Sequence, residues 1–358
     1  KTLGGKYYTS QDIYETETQQ VFFKHWIYVG RTSALSEPGS YFLREIESES
    51  IIVLKDHEGE VRAHHNVCRH RGTRLLSEPE GTLAKSIQCM YHAWTYALDG
   101  SLIGAPFMDE VESFCQENYP LKSVSLATWE GCIFVSLADE PEPFEQAFAP
   151  LIDKFTSWTM DELQIAHTII YEIPANWKLV FQNYSECYHC PGLHPALNQL
   201  TPFRNSSNDL EEGPYLGGPM RMAIDGGSMT MTGQTCAPPL GDLSGEALNY
   251  VQYYTVYPNM LLSLHPDYVL IHRIERLAPD LTRIVCDWLF HPEAMAALDF
   301  DPSGAVGFWN LTNKQDWHVS SLSQQGISSR AYTPGPYSEL ESMIAAWDRE
   351  YLRSIGEG

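Results

Sequence analysis

Between positions 10 and 28 the apolar residues Ile13, Tyr14, Val21, Phe22 and Trp26 recur at intervals close to three and four, which predicts an amphipathic helix. From residue 41 to about 135 the pattern shortens to β-rich runs at 41–45, 51–55, 61–66, 87–91, 95–98 and 132–136. Gly59, Gly72, Gly100 and Gly131 punctuate these runs, so the segment reads as a small all-β unit. The acidic, proline-rich stretch Asp139-Glu140-Pro141-Glu142-Pro143 interrupts the pattern and marks a domain boundary. Beyond it we expect a strand at 163–172, a helix opening near Asn176, and loops rich in Gly and Pro at 202–218 and 226–245. Strands follow at 250–257, 261–265, 268–277 and 283–290. Their connections, Pro258-Asn259, Pro266-Asp267 and Pro279-Asp280, carry turn chemistry and predict an antiparallel meander. Helices at 305–322 and 338–352 close the chain. The expected organisation is α+β, with a helical segment (1–40) packing on the larger domain, an all-β domain (41–138) and an antiparallel-sheet domain with helices (139–358).

Composition narrows the classes of function. The 358 residues are 43% hydrophobic and 19% charged, ordinary values for a folded chain with ample material for a core. Lys and Arg number 23 against 46 Asp and Glu, a net charge of −23 that repels phosphate backbones and anionic membrane surfaces and attracts cations. Nucleic acid is therefore not an expected partner. No apolar run approaches the roughly 18 residues of a membrane span, and the first 20 residues lack the basic and apolar regions of a secretion signal. The chain starts at Lys1 rather than Met, which suggests trimming. Of eight cysteines, two stand beside histidines at metal-ligand spacing, which favours metal chemistry in a reducing, cytoplasmic setting over disulfides.

The first constellation lies in the β unit. Cys68-x-His70 and Cys89-x-x-His92 each sit on a turn after an expected strand. Two thiolates and two imidazoles on paired loops suit zinc or a two-iron cluster in which histidines replace cysteines on one iron, and the spacing does not choose between them. The flanks do: Cys68-Arg69-His70-Arg71-Gly72 followed by Cys89-x-Tyr91-His92-x-Trp94 resembles the Rieske [2Fe–2S] signature. The resemblance implies that Cys68 and Cys89 hold one iron and His70 and His92 the other. Arg62, Arg69, Arg71 and Arg74 occupy a window without acidic residues; they either steer an acidic electron donor or pair with carboxylates elsewhere.

The second constellation follows Asn176. On a continued helix Trp177, Phe181, Tyr184 and Tyr188 form one stripe, and Gln182, Glu186 and His189 fall on the opposite face. Pro191 and Gly192 break the helix, so that His194 can meet His189. Two histidines and one carboxylate with open positions make the facial triad of non-haem Fe(II) oxygenases. In the helix at 305–322, Phe308, Leu311, Val319 and Leu322 suggest a packing stripe, with Trp309, Asn313, Asp316 and Ser320 on another face. Asp316 is thus a candidate third ligand, alongside Asp267 and Asp287. The pair Cys187-x-x-Cys190 reads as packing near this site rather than as a redox motif, because no βαβ pattern surrounds it.

The whole chain resembles the catalytic subunit of Rieske-type oxygenases, with Glu186-x-x-His189-x4-His194 matching the iron motif and Asp316-Trp317-His318 its carboxylate. Many ring-hydroxylating members have Asp where Glu186 stands. Asn176-Trp177-Lys178-Leu179, Glu186-Cys187-Tyr188-His189-Cys190-Pro191 and residues 323–330 are similar to the glycine betaine monooxygenase and stachydrine demethylase group. The resemblance implies a Rieske domain, a helix-grip catalytic domain, a [2Fe–2S] cluster, a mononuclear Fe(II) and a homotrimer. It also implies that Glu186 bridges to His92 of the partner subunit. No nucleotide-binding glycine fingerprint is present, so NAD(P)H electrons are expected through a separate flavin and iron–sulfur reductase. The implied reaction is oxidative N-demethylation of a betaine with release of formaldehyde, with Trp309, Tyr253 and Tyr257 as candidate substrate residues. The alternative is hydroxylation of an aromatic ring by the same metals.

Overall fold

In the computed structural model, which describes residues 1–358, strand Ile27–Arg31 lies antiparallel to Cys132–Ser136, which in turn pairs with Ser125–Trp129. That first strand draws residues 22–40 into the β unit. The chain accordingly divides into one unit of residues 22–144 and another of residues 1–21 with 145–358, rather than at residues 40 and 138. The helix expected over 10–28 is shorter: Gln11–Glu17, capped by Ser10, runs into a single π-helical turn, Thr18–Phe22. Trp26 lies beyond it, its indole N–H donating to the Glu142 carbonyl and its ring edge-on to Phe144.

Two further small sheets complete residues 22–144. One has the order Val61–His65, Glu49–Lys55, Ser40–Ile46, Glu80–Thr82; the other pairs Ser86–Gln88, Thr95–Ala97 and Leu102–Gly104. Ile52, Leu54, Ile87, Trp94 and Tyr96 bury a common core against which Cys68 and Cys89 also pack. The arginine window is largely paired. Arg62 meets Asp56 and Arg74 meets Glu45, while Arg69 donates to the Pro120 carbonyl and Arg71 stands over the Tyr91 ring.

The second unit is built on one six-stranded antiparallel sheet in the order Gln164–Ile173, Leu281–Phe290, Val269–Ala278, Met260–Leu264, Tyr250–Val256, Tyr215–Arg221. The four-strand meander matches the turn chemistry. Tyr215–Arg221 begins inside the stretch 202–218 expected to be loop, because Gly217, Gly218 and Pro219 erase the strand pattern. Those glycines let two backbones meet: a Cβ on Gly217 would lie 2.0 Å from the Tyr253 carbonyl oxygen, and one on Gly218 2.2 Å from that of Ser207. Tyr253 pairs with Ser263 and Ser263 with Leu270, so Tyr253, Thr255 and His272 project from one face of the sheet.

Helix Ser303–Ile327 packs on that sheet through Asn313, whose amide donates to Cys286 Sγ, and through Asn310, which accepts from the Tyr171 hydroxyl. Its buried side is Phe308, Trp309, Thr312, Asn313, Trp317 and Ser320, whereas Leu311 and Leu322 are exposed. Of the expected packing stripe Phe308 is buried, Val319 half-buried and the two leucines exposed, because the side that turns inward is mainly the polar and aromatic one. Helix Trp177–Tyr184 is held at its start by Asn176, which caps Lys178 N–H and donates to the Pro279 carbonyl. Beneath it Glu17, wholly buried, accepts from Lys178, Trp177, Arg276 and Tyr351. The last helix, Ser342–Ser354, follows a short 3-10 turn closed by a Ser338–Glu341 capping box.

Candidate metal centres

In the β unit each ligand loop closes on itself. Gly72 N–H donates to the Cys68 carbonyl and Ala93 N–H to that of Cys89, both at 3.0 Å, with Gly72 and Ala93 at positive φ (74° and 59°). The turns leave both sulfurs buried and carry His70 and His92 outward, with ring centroids 4.6 Å apart. Trp94 stacks on His70 at 4.9 Å. The Tyr96 hydroxyl, 3.4 Å from Cys68 Sγ, also accepts from Arg69 N–H. Burial raises the Cys89 thiol pKa, but the backbone N–H of Tyr91, the Cys68 sulfur and the His92 N–H outweigh it and the net shift is downward. Burial and the neighbouring His92 lower His70. Two buried sulfurs and two outward imidazoles on paired loops fit a two-iron cluster with one iron at the surface.

The second centre departs from the helical projection. Helix Trp177–Tyr184 ends before Glu186, which with His189 lies in the turn that follows; Gln182 stays on the helix and bonds Tyr8 and Asp348 instead. Tyr188 is exposed rather than part of a stripe. The short helix Cys190–Leu193 then delivers His194. His189, His194 and Asp316 bring one ligand atom each to within 4.8 Å of one another. His194 Nε2 stands 2.7 Å and His189 Nε2 3.4 Å from Asp316 Oδ1. Each far ring nitrogen is also fixed: His189 Nδ1 lies 2.6 Å from Glu186 Oε1, and His194 Nδ1 lies 2.7 Å from Gln315 Oε1. Both Nδ1 atoms therefore donate outward and both Nε2 atoms face the same point. Glu186 is anchored by accepting from the backbone N–H groups of Tyr188 and His189.

Electrostatics agree with a cation at that point. Burial would lower His189, but Asp316 and Glu186 outweigh it and push it up to about 9; Asp316, despite burial, is held below the usual carboxylate range by the two imidazoles. Asp267 and Asp287 lie elsewhere, accepting from Ser228 and Thr168 respectively. The donor set of two imidazoles and a carboxylate fits a divalent iron with open positions.

The trio opens into a cleft of about 1180 Å³, mouth included. Trp309, Tyr253, Tyr184, His272 and Trp317 line it as successive rings with centroids 6.1–6.3 Å apart, and no Lys or Arg lines it. Trp309 is fixed by its indole N–H, 2.7 Å from the Tyr268 hydroxyl. Burial pushes His272 down to about 4, so it is neutral. Tyr257, in contrast, is not part of the lining. The strand stops at Val256 and Tyr257 turns into the core against Trp177 and Trp347. Cys187 and Cys190 flank His189 and form a disulfide, contrary to the expectation of free thiols. Sequence reasoning did not single out Gln315, Tyr96 or His272, and it gave Tyr184 to a packing stripe rather than to the cleft.

A two-iron centre on paired β loops and a two-histidine, one-carboxylate centre on a helix-covered antiparallel sheet together define a Rieske-type oxygenase. Residues 25–115 match the Rieske [2Fe–2S] domain model, and residues 160–357 match the catalytic domain of ring-hydroxylating alpha subunits. The glycine betaine monooxygenase oxygenase subunit of Chromohalobacter salexigens is 32% identical over 94% of this chain and 82% of that protein; the carnitine monooxygenase oxygenase subunit of Acinetobacter baumannii is 36% identical over 53% and 52%. The crystal structure of a quaternary ammonium Rieske monooxygenase aligns with TM-score 0.83 at 24% identity over 99% of this chain and 95% of that one. Naphthalene 1,2-dioxygenase from Rhodococcus aligns at 0.80 with 19% identity over 99% and 94%. The chain belongs to the ring-hydroxylating oxygenase alpha-subunit family. It is an oxygenase component, an oxidoreductase with a Rieske [2Fe–2S] domain and a mononuclear-iron catalytic domain. No helix is long and apolar enough to cross a membrane.

Proposed function

We propose that this oxygenase removes a methyl group from a quaternary ammonium compound, glycine betaine or a close relative. The observation that carries the reading is the cleft wall, where Trp309, Tyr253, Tyr184, His272 and Trp317 follow one another, no Lys or Arg is present, and the ligand trio shares the lining. A quaternary ammonium ion has no N–H to donate and is held by ring faces, each worth on the order of 0.5–2 kcal/mol. The names of the relatives from Chromohalobacter and Acinetobacter support the same substrate class.

In this reading Cys68, Cys89, His70 and His92 hold the cluster, and His189, His194 and Asp316 hold the iron. When bound, cluster and iron supply electron delivery and oxygen activation beside the substrate. The chain's own residues set the geometry. Glu186 and Gln315 keep the two imidazoles in the tautomer that presents Nε2. Trp309, locked by Tyr268, and Tyr253 seat the cation. Glu186 also serves as the electron relay to His92 of the partner subunit in a trimer, and a separate reductase feeds the cluster from NAD(P)H. Hydroxylation of one N-methyl carbon, with O2 supplying the oxygen and two electrons from NAD(P)H reducing its second atom to water, gives an N-hydroxymethyl ammonium, which breaks its C–N bond to release formaldehyde and a proton and leave the tertiary dimethylamino product. Incubation of reconstituted protein, a generic Rieske reductase and NADH with a panel of betaines should release formaldehyde equal to demethylated product. A cis-diol or phenol from an uncharged ring, with no formaldehyde from any betaine, would transfer the assignment to ring hydroxylation.

A further inference from the structure

Glu186, His189 and His194 are carried by two short pieces of chain, the turn at 185–189 and helix Cys190–Leu193, and the Cys187–Cys190 disulfide joins the two across His189. The turn is closed by Cys190 N–H donating to the Cys187 carbonyl at 3.2 Å, and Tyr188 between the cysteines is 55% exposed. The Cys190 carbonyl in turn accepts from His194 N–H at 2.9 Å. The bond therefore reaches from the residue beside Glu186 to the backbone of the second ligand histidine. Bonded sulfurs stand about 2 Å apart, whereas free thiols keep van der Waals separation, roughly 3.5–4 Å. The dithiol thus needs more room in the turn than the disulfide does.

Cys190 is 2% exposed and closely packed, while Cys187 is half-buried, and both line the cleft. Opening the bond accordingly moves Cys187. Its chain neighbours Glu186 and Tyr188 form the clamp in which Glu186 accepts from the Tyr188 and His189 N–H groups and from His189 Nδ1. We propose that Cys187 and Cys190 are a redox-switched positioning pair for the mononuclear centre: the disulfide holds Glu186 and His189 in register for iron, and reduction to two thiols releases them. The inference rests on His189 and His194 as iron ligands and adds a control that the ligand set does not contain. The reductant is a low-molecular-weight dithiol, which reaches Cys187 through the cleft. Its thiolate attacks Cys187 Sγ, the bond to Cys190 breaks, and Cys190 leaves as a thiolate that takes up a proton. The second thiol of the reductant then displaces Cys187, so two electrons and two protons pass to the cysteines and the reductant closes as a cyclic disulfide. The reverse exchange with that cyclic disulfide remakes the bond.

Withdrawal of Fe(II) from the anaerobic holoenzyme by a graded chelator tests this. Parallel samples are treated with dithiothreitol or with its cyclic disulfide and desalted, and alkylation followed by peptide mass analysis reads the state of Cys187 and Cys190. The dithiol sample should show both thiols alkylated and hold Fe(II) about tenfold more weakly than the disulfide sample, the lower end of the range for loss of an outer partner of a ligand histidine. Reoxidation should restore the affinity. The double variant Cys187→Ser, Cys190→Ser should hold iron like the dithiol and ignore both reagents, with the visible spectrum of the cluster unchanged. Equal affinity in the two wild-type samples, with the bond made in one and broken in the other, overturns the switch and leaves the ligand assignment standing. A pair that dithiothreitol does not open or the cyclic disulfide does not close, or a response that persists in the double variant, overturns it as well. Failure of both wild-type samples to hold Fe(II) overturns the ligand assignment, and the inference falls with it.

Discussion

Replacing Gln315 by Leu should release the mononuclear iron while leaving the protein folded. His194 is 1% exposed, so when Gln315 Oε1, 2.7 Å from Nδ1, is removed no bulk water can take its place. Two independent scales give the size of the effect. Loss of such an outer partner of a ligand histidine lowers metal affinity about 10- to 100-fold, equivalent to about 1.4–2.7 kcal/mol. Leaving a buried donor unsatisfied costs about 1–3 kcal/mol. Gln315→Glu keeps an acceptor at the same reach and should hold iron at least as well as wild type. The assay is an anaerobic Fe(II) titration against a competing chelator, with the visible spectrum of the cluster and a thermal melt as controls. Wild-type affinity in Gln315→Leu would refute the role given to Gln315. A parallel loss of cluster and melting temperature would show that the residue maintains the fold rather than the ligand.

Glu186→Gln should retain both metal centres, because the amide oxygen can still accept from His189 Nδ1 although the carboxylate charge is gone. It should lose single-turnover oxidation of the cluster by more than about tenfold, since the amide changes the hydrogen bonding at His189 Nδ1; loss of the mononuclear iron instead, read by metal analysis, would make Glu186 structural. Glu17→Gln should lower stability by about 3–5 kcal/mol because it leaves Lys178 and Arg276 buried without their anion, a fall of about 6–20 °C in the melting temperature of this unit. Burial works against Glu17, but Lys178 and Arg276 outweigh it and hold its pKa below the usual range. Its contribution is therefore complete above the unfolded value of about 4.3 and lost as pH falls through the lower folded value, so the wild-type advantage measured by calorimetry should narrow only in acid.

The parts of the fold legible in the sequence are those whose local chemistry agrees with their tertiary role. The meander is one: Pro258-Asn259, Pro266-Asp267 and Pro279-Asp280 punctuate runs buried on both faces, and the structure pairs the four strands in sequence order. Tyr215–Arg221 was illegible for the opposite reason, since Gly217 and Gly218 serve the approach of two backbones and carry no side-chain pattern. Ile27–Arg31 was hidden because its five residues, all buried, continue the apolar spacing of the helix before them. A run without polar alternation does not announce whether it is strand or helix.

At the mononuclear centre, spacing offered His189 and His194 with Asp316 as one of three candidate carboxylates, and resemblance to the family motif chose Asp316 and singled out Glu186; the structure brings the four together, yet the helical geometry used to relate them does not hold. Glu186 reaches His189 across a turn, where its second oxygen is pinned by two backbone N–H groups. On a continuing helix those N–H groups would bond to carbonyls one turn back, so ending the helix at Tyr184 is what frees them to orient the carboxylate. The same logic explains why Gln315 and His272 went unseen. Amphipathic reasoning assigns polar residues to solvent, but helix Ser303–Ile327 turns its polar side inward because that side faces a cleft lined for chemistry. A polar residue in such a place contradicts the local pattern unless a ligand or metal satisfies it. The contradiction therefore marks the site: Gln315, a polar residue on the inward side of the helix, is satisfied by a ligand histidine.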